Sequence, residues 1–517
     1  MLQRAAILFL IALSAPSLAV CRQTEHKEHA PEKLGEVFFP VSCSPAVQES
    51  FNHSVALLHS FTYAASEKAF LEIASIDPKC AMAHWGAAMS YYHQLWEPPI
   101  SAADLQRGRL EIQKAEDLDG VSPREHAFIH ALSLFYKDAP RVPHATRALA
   151  YEEAMAALAA QNPKDAESQI FYALALLATA SPSDRSHTHQ KHAAQVLEPL
   201  FGRYPQHPGI AHYLIHAYDN PELAALGLPA ARDYAQIAPS NPHALHMPSH
   251  IFTLRGLWQD SIRANTAARD AAHQLGDIGE ELHSMDYLMY AYLQAGENGK
   301  AAQLLQDLNS MEELPVSQFK VGYAATAMPA RFAVERREWA EAAAILPREG
   351  SPPQVLAIVY WCHAMALART GKQKNAETEL EELKQSLAKV RESSEEYWAA
   401  QIEIQMLEVK AWIAHSAGRP GDAVSMMRAA AEKEDGLEKR PITPGPIVPA
   451  REQLGDLLLE LDRPGEALHE FDASLRQAPR RRGSLGGAAR AAELAGDQTK
   501  ADQYRKELQE ISAGKTN

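Results

Sequence analysis

Thiol chemistry is nearly absent from this chain: 517 residues carry four cysteines, Cys21, Cys43, Cys80 and Cys362, and no CxxC pair. That excludes a thiolate zinc site and a thioredoxin-type redox motif. Aromatic residues are scarce at 7% while alanine and leucine abound, a mixture that suits an all-helical protein rather than a strand-rich one. A basic surplus is also lacking. The net charge is −15, and the one short basic cluster, Arg480, Arg481 and Arg482, reads as a solvated loop between repeats, so no nucleic-acid partner is expected. Beyond the N-terminus no apolar run is long enough for a transmembrane anchor. No Walker loop, Rossmann fingerprint or GxSxG elbow occurs, which removes a nucleotide cofactor and a serine-hydrolase reading.

What is present begins with a processing signal. Arg4 precedes the apolar stretch Ala5 to Leu13, and Ser17-Leu18-Ala19 is a small-x-small cleavage pattern. Residues 1–19 therefore read as a signal peptide, and the mature chain is expected in the periplasm or secreted. Leu18-Ala19-Val20-Cys21 resembles a lipoprotein box, but Val20 fits it poorly and a lipid anchor at Cys21 is disfavoured. In an oxidising compartment Cys43 and Cys80 flank the first repeat and are candidates for a bridge, which spacing alone does not establish.

From Ala46 onward the pattern is helical, interrupted at regular intervals. Pro78, Pro163, Pro205, Pro239 and Pro479 each follow an amphipathic stretch, where proline stops a helix, and Pro205 and Pro239 lie 34 residues apart. Thirty-four residues is the tetratricopeptide (TPR) period, in which each unit is a helix–turn–helix that stacks on its neighbours. Leu454, Gly455, Leu458, Ala467, Phe471 and Pro479 fall on the signature positions of one unit. Gly256, Gly296, Gly371 and Gly418 mark turns within others, at spacings of 40 and 47 residues that require longer helices or inserted turns. The expected fold is all-α, a TPR-like helix–turn–helix solenoid with a concave groove. Its parts are a polar, poorly ordered arm (20–46), an N-terminal array (47–310), central repeats (311–435), a Pro-rich segment (436–450) and C-terminal repeats (451–512). The run RPITPGPIVP from Arg440 to Pro449 is a rigid non-helical candidate to cross the groove or join two sub-arrays.

Two HxxxH pairs, His212/His216 and His246/His250, are separated by the same 34 residues, so a unit shift sets one beside the other. With the first helices lining the groove, its inner wall should present His212, His216, Asp219, His243, His246, His250, His283, Asp286 and Tyr290. Helix axes about 8–10 Å apart let imidazoles of adjacent helices meet. Neutral imidazoles suit zinc, copper, iron or nickel, with Zn or Cu the best fit here and Asp286 able to complete or orient the set. The expected metal ligands are therefore His212, His216, His246, His250 and Asp286. Asp219, His243, His283 and Tyr290 are groove residues. Neither pair has the Glu of a zincin protease. Met247-Pro248 weighs against the facing argument, because a proline breaks a helix unless it stands in the first turn. Lone histidines such as His59 read as packing residues, the Trp85–Tyr91–Tyr92–Trp96 stripe as core, and Glu167 as a solvated surface residue.

Four stretches carry a resemblance. They are Phe51-Asn52 through Asp77-Pro78 with the CAMAHWG block at 80–86; HPGIAHYLIH at 207–216; PHALHMPSHIF at 242–252; and TPGP at 443–446. Together the chain resembles a broad family of exported bacterial TPR proteins, departing from it at His53 and at Leu254-Arg255. The resemblance implies the solenoid fold and export, and supplies no reaction. Three functional readings stay open. The first is a protein- or ligand-binding module with a histidine metal site in its groove, where a protein or peptide partner is expected. The second is a metal-dependent hydrolase or oxidase using the same histidines. The third is an assembly scaffold without metal.

Overall fold

The computed structural model describes residues 32–95, 100–181, 184–393 and 395–514. Residues 1–19, expected to be a signal peptide, residues 20–31 of the arm, Cys21 and Trp96 lie outside these. Among the described residues every regular element is a helix, from the 3-10 turn Pro45–Val47 to Gln498–Ser512.

The prolines act as the spacing predicts. The helices Tyr63–Ile76, His144–Gln161, Thr188–Arg203, Leu228–Ile237 and Pro464–Gln477 each stop two residues before one, since the residue preceding a proline is pushed out of the α region. Gly256, Gly296, Gly371 and Gly418 all take positive φ, from +64° to +78°, where a side chain would be strained. Each helix packs on the next, and first helices of many successive pairs also pack on one another, which is the TPR-like arrangement of stacked antiparallel pairs. Small residues set the closeness of approach. A Cβ on Gly455 would stand 2.7 Å from the Phe471 ring, so glycine is required there.

The array also turns back on itself. Helix Gln48–His59 packs against Pro208–Tyr218, and Ile278–Ala295 packs against Arg482–Leu494. The Trp258 indole donates to the Arg480 carbonyl (3.0 Å) across 222 residues. These returns place the N-terminal hairpin and the C-terminal repeats against the central helices that carry the histidines.

Two expectations are corrected. The arm from residue 32 is ordered: Phe39 is fully buried, its ring 5.1–5.5 Å from those of Phe51, Trp85 and Phe128. A disulfide between Cys43 and Cys80 ties it to the start of helix Ala81–Met89. Apolar burial and a covalent tie outweigh its polar composition. The Arg480–Arg482 cluster is not simply a solvated loop. Arg481 is wholly buried, paired with Glu335 and Glu452 at 2.8 Å each. Among the described residues no helix is long and apolar enough to cross a membrane.

Candidate metal centres

The helix Pro208–Tyr218 begins at a proline after His207, and 34 residues on, Pro242 begins the next first helix, capped by the Asn241 side chain accepting from the Ala244 amide (3.0 Å). The repeat register is thus kept to the residue, and His212/His216 and His246/His250 occupy equivalent places. The second helix breaks into Pro242–His246 and Pro248–Leu254 because Pro248 has no amide proton. Met247 nevertheless keeps helical dihedrals (φ −52°, ψ −37°), and the His246 and His250 imidazoles on either side of it meet, Nε2 to Nε2 at 3.0 Å.

The four imidazoles of the two pairs do not form one tetrad. They divide into two trios, each built from one HxxxH pair and the histidine near the start of the next repeat: His212, His216 and His243, then His246, His250 and His283. His212 Nε2 lies 3.1 Å from His216 Nε2 and 3.2 Å from His243 Nε2. In the second trio His246 Nε2 is 3.0 Å from His250 Nε2, and the His283 ring centroid is 4.3 Å from that of His246. The trios adjoin, with His216 and His250 rings 6.5 Å apart and His243 and His246 rings 6.4 Å apart.

The other ring nitrogens fix the tautomers. His212 Nδ1 donates to the His59 carbonyl (2.6 Å), His246 Nδ1 to Asn265 Oδ1 (2.7 Å) and His250 Nδ1 to Asp219 Oδ2 (2.8 Å). Asn265 is itself oriented by donating to the Ser261 carbonyl (2.8 Å). His243 Nδ1 stands 3.5 Å from Glu280 Oε1. With the Nδ1 protons of His212, His246 and His250 committed, their Nε2 lone pairs point at neighbouring imidazoles, and those of His246 and His250 face each other. This is the arrangement in which a metal-ligating histidine is held by a carboxylate or carbonyl on its far side. Imidazoles about 2.0–2.1 Å from an ion place their nitrogens about 3.4 Å apart if tetrahedral and about 3.6 Å if trigonal. The observed 3.0–3.2 Å separations are about 0.2–0.4 Å shorter than the tetrahedral value and about 0.4–0.6 Å shorter than the trigonal one, so a bound ion would spread the rings slightly.

Burial favours the neutral form of His212, His216, His246, His250 and His283. It drives the His212, His246 and His283 pKa values well below the ordinary value, and neighbouring imidazoles add to the effect. His216 is pushed down to about 3 by burial and then by His250 and His243. His250 is lowered by burial against the opposing pull of Asp219. Burial alone would raise the Asp219 and Glu280 carboxyls, but Lys439 and His250 hold the first down, and Lys320 and His243 hold the second well down.

The remaining predicted residues fall as follows. Asp219 is an outer partner, between His250 and Lys439 (3.0 Å). His243 and His283, read only as groove residues, complete the trios. Asp286 does not complete the set. It accepts from Arg331 Nε (2.9 Å), both side chains fully buried. Forty residues beyond His246 and His250, the equivalent places hold Asp286 and Tyr290, so the histidine ladder ends in an ion pair. Tyr290 accepts from Arg481 (3.2 Å) and lines a cavity of about 330 Å³ that Asp219 also borders.

Several participants escaped the sequence reading. Glu167 is buried, not solvated, and accepts from His59 Nε2 (3.0 Å) and His207 Nε2 (2.9 Å). His59, read as packing, presents the carbonyl that anchors His212. The Pro-rich run packs on the helices that carry the second trio and Arg331. Pro441 and Thr443 carbonyls accept from the Tyr287 hydroxyl (2.9 and 3.1 Å), and the Gly445 and Pro446 carbonyls accept from Arg331 (2.8 and 3.1 Å).

No family model matches the sequence, and no curated protein matches it. Among solved structures, a human IFIT1 dimer with m7Gppp-AAAA is similar at 12% identity, over 84% of this chain and 90% of that one, with a TM-score of 0.38. A human IFIT1 dimer with PPP-AAAA gives 12% identity over 84% and 91%, with a TM-score of 0.39. At such scores the superposition is loose, and the RNA in those structures is a property of IFIT1.

Proposed function

We propose that this chain is an exported metal-binding solenoid whose concave wall holds transition-metal ions at two tri-histidine centres. The observation that carries the reading is that His212 Nε2 lies 3.1 Å from His216 Nε2 and 3.2 Å from His243 Nε2 while its opposite nitrogen donates to a carbonyl. In the second trio His246 and His250 both commit their Nδ1 protons, to Asn265 and Asp219, so two buried Nε2 lone pairs face each other at 3.0 Å, a repulsion that a cation between them relieves. The second trio repeats the arrangement one unit on, which argues against coincidence. Export is supported by the Arg4-to-Ala19 pattern and is consistent with the Cys43–Cys80 bridge.

A peptide partner is the weaker reading beside the second trio, because residues 439–446 already bond to Asp219, Tyr287 and Arg331 there. A metal-dependent hydrolase or oxidase has one observation in its favour, the cavity of about 330 Å³ beside Asp219. None of the six imidazoles lines that cavity, and a catalytic ion needs a coordination position open to substrate. Binding is therefore preferred. The test is the metal content of untagged protein purified from the periplasm. Two equivalents per chain are expected, and the double variant His216→Ala, His250→Ala should lose both with its helical circular dichroism intact. A scaffold without metal would carry none in either form.

A further inference from the structure

Both centres are covered by an aromatic ring. Phe61 stands 4.4 Å from the His212 centroid and 5.7 Å from those of His216 and His243. Tyr287 stands 4.8, 5.0 and 5.3 Å from His246, His250 and His283. These rings come from different parts of the chain, yet both are buried and sit among all three imidazoles of their trio. Phe61 reaches its place at φ +55°, a left-handed conformation that bulky residues rarely take and that must be held by its surroundings. Tyr287 is fixed by its hydroxyl, which donates to the Pro441 and Thr443 carbonyls of the Pro-rich run. An aromatic ring in this position takes the space of the water that a tetrahedral zinc site with three protein ligands requires.

Charge points the same way. All six candidate ligands are imidazoles, which bring no negative charge to an ion they hold. The two carboxylates behind them are each matched by a lysine, Asp219 by Lys439 (3.0 Å) and Glu280 by Lys320. The immediate surroundings thus bring no net negative charge to offset a buried cation. The cost of burying an ion scales with the square of its charge, so a dication is penalised about fourfold more than a monocation.

Resting on the metal-binding reading above, we infer that both centres are built for a soft monovalent cation, cuprous copper, each ion held by three imidazoles in a water-free, three-coordinate site. Imidazole is a good donor for copper, and low coordination without an anionic ligand is what this enclosure offers.

The experiment uses the full-length mature protein stripped of metal. It is titrated anaerobically with Cu(I) presented by a colorimetric Cu(I) chelator, and separately with Zn(II). Two Cu(I) per chain should be withdrawn from the chelator, a large excess of Zn(II) should displace neither, and X-ray absorption should show nitrogen donors without oxygen. Replacing Lys439→Met or Lys320→Met exposes a carboxylate to the neighbouring centre and should raise its Zn(II) affinity about tenfold. Two equivalents of Zn(II) that resist Cu(I), or an oxygen donor on the bound copper, would overturn the inference while leaving metal binding in place. Failure of both ions to bind would overturn the inference and the metal-binding reading together.

Discussion

Replacing Asp219→Ala tests the second centre through a residue that touches no ion. Asp219 accepts from His250 Nδ1 at 2.8 Å and pairs with Lys439 at 3.0 Å, and its side chain is only 5% exposed. Losing the acceptor leaves the His250 ring free to turn or change tautomer. Outer-shell partners of this kind are worth about 10–100-fold in metal affinity, or about 1.4–2.7 kcal/mol. The effect should fall on one of two equivalents, because the Nδ1 anchor of His212 is the His59 carbonyl and does not involve Asp219. The same change strands Lys439, 12% exposed, and breaking a buried pair on one side costs about 3–5 kcal/mol, less here because the lysine is partly solvated. Adding Lys439→Met should recover most of that stability without recovering affinity. Metal titration and urea unfolding of the wild type, the single variant and the double variant separate the two effects. If both equivalents weaken equally, or neither does, the division into two trios is refuted.

Other consequences are direct. Arg331→Met leaves Asp286 buried without its cation and removes the donor to Gly445 and Pro446, so stability should fall by about 3–5 kcal/mol in urea unfolding. Asp286→Asn should leave the number of bound ions unchanged, and loss of an equivalent would restore Asp286 as a ligand. Because the buried histidines have pKa values lowered in the folded state, their contribution to stability is complete above about 6.5 and is lost as pH falls toward the folded values. For His216, lowered to about 3, this amounts to about 2 kcal/mol between pH 6.5 and 5, seen as a falling urea midpoint of the metal-free protein. Replacing Cys43 and Cys80 with alanine opens a loop spanning 37 residues and should cost about 3–4 kcal/mol in the same assay.

The repeat register was legible because it is written in residues with backbone consequences. Pro208 and Pro242 start equivalent helices, and prolines two residues beyond the second helices end them, so the positions of His212, His216, His246 and His250 on one wall followed from counting. The partition into trios was not legible, because it depends on how far His243 and His283 lean across to the preceding helix. Asp286 stands where a ligand would, but its partner Arg331 is 45 residues further on, and no local pattern links them. His59 contributes through its carbonyl, a group every residue has, and so leaves no trace in the sequence. Glu167 looked like an ordinary charged residue at a helix start. Its burial arises only when the N-terminal hairpin returns to bring His59 against it. The Pro-rich run announced its rigidity, yet its course over Tyr287 and Arg331 is set by the closing of the array.

The most direct measurement is anomalous diffraction from crystals of the full-length mature protein loaded with copper or zinc. The account predicts two peaks per chain, one among His212, His216 and His243 and one among His246, His250 and His283. A single ion shared by the two HxxxH pairs, or peaks only at His59, Glu167 and His207, would contradict it.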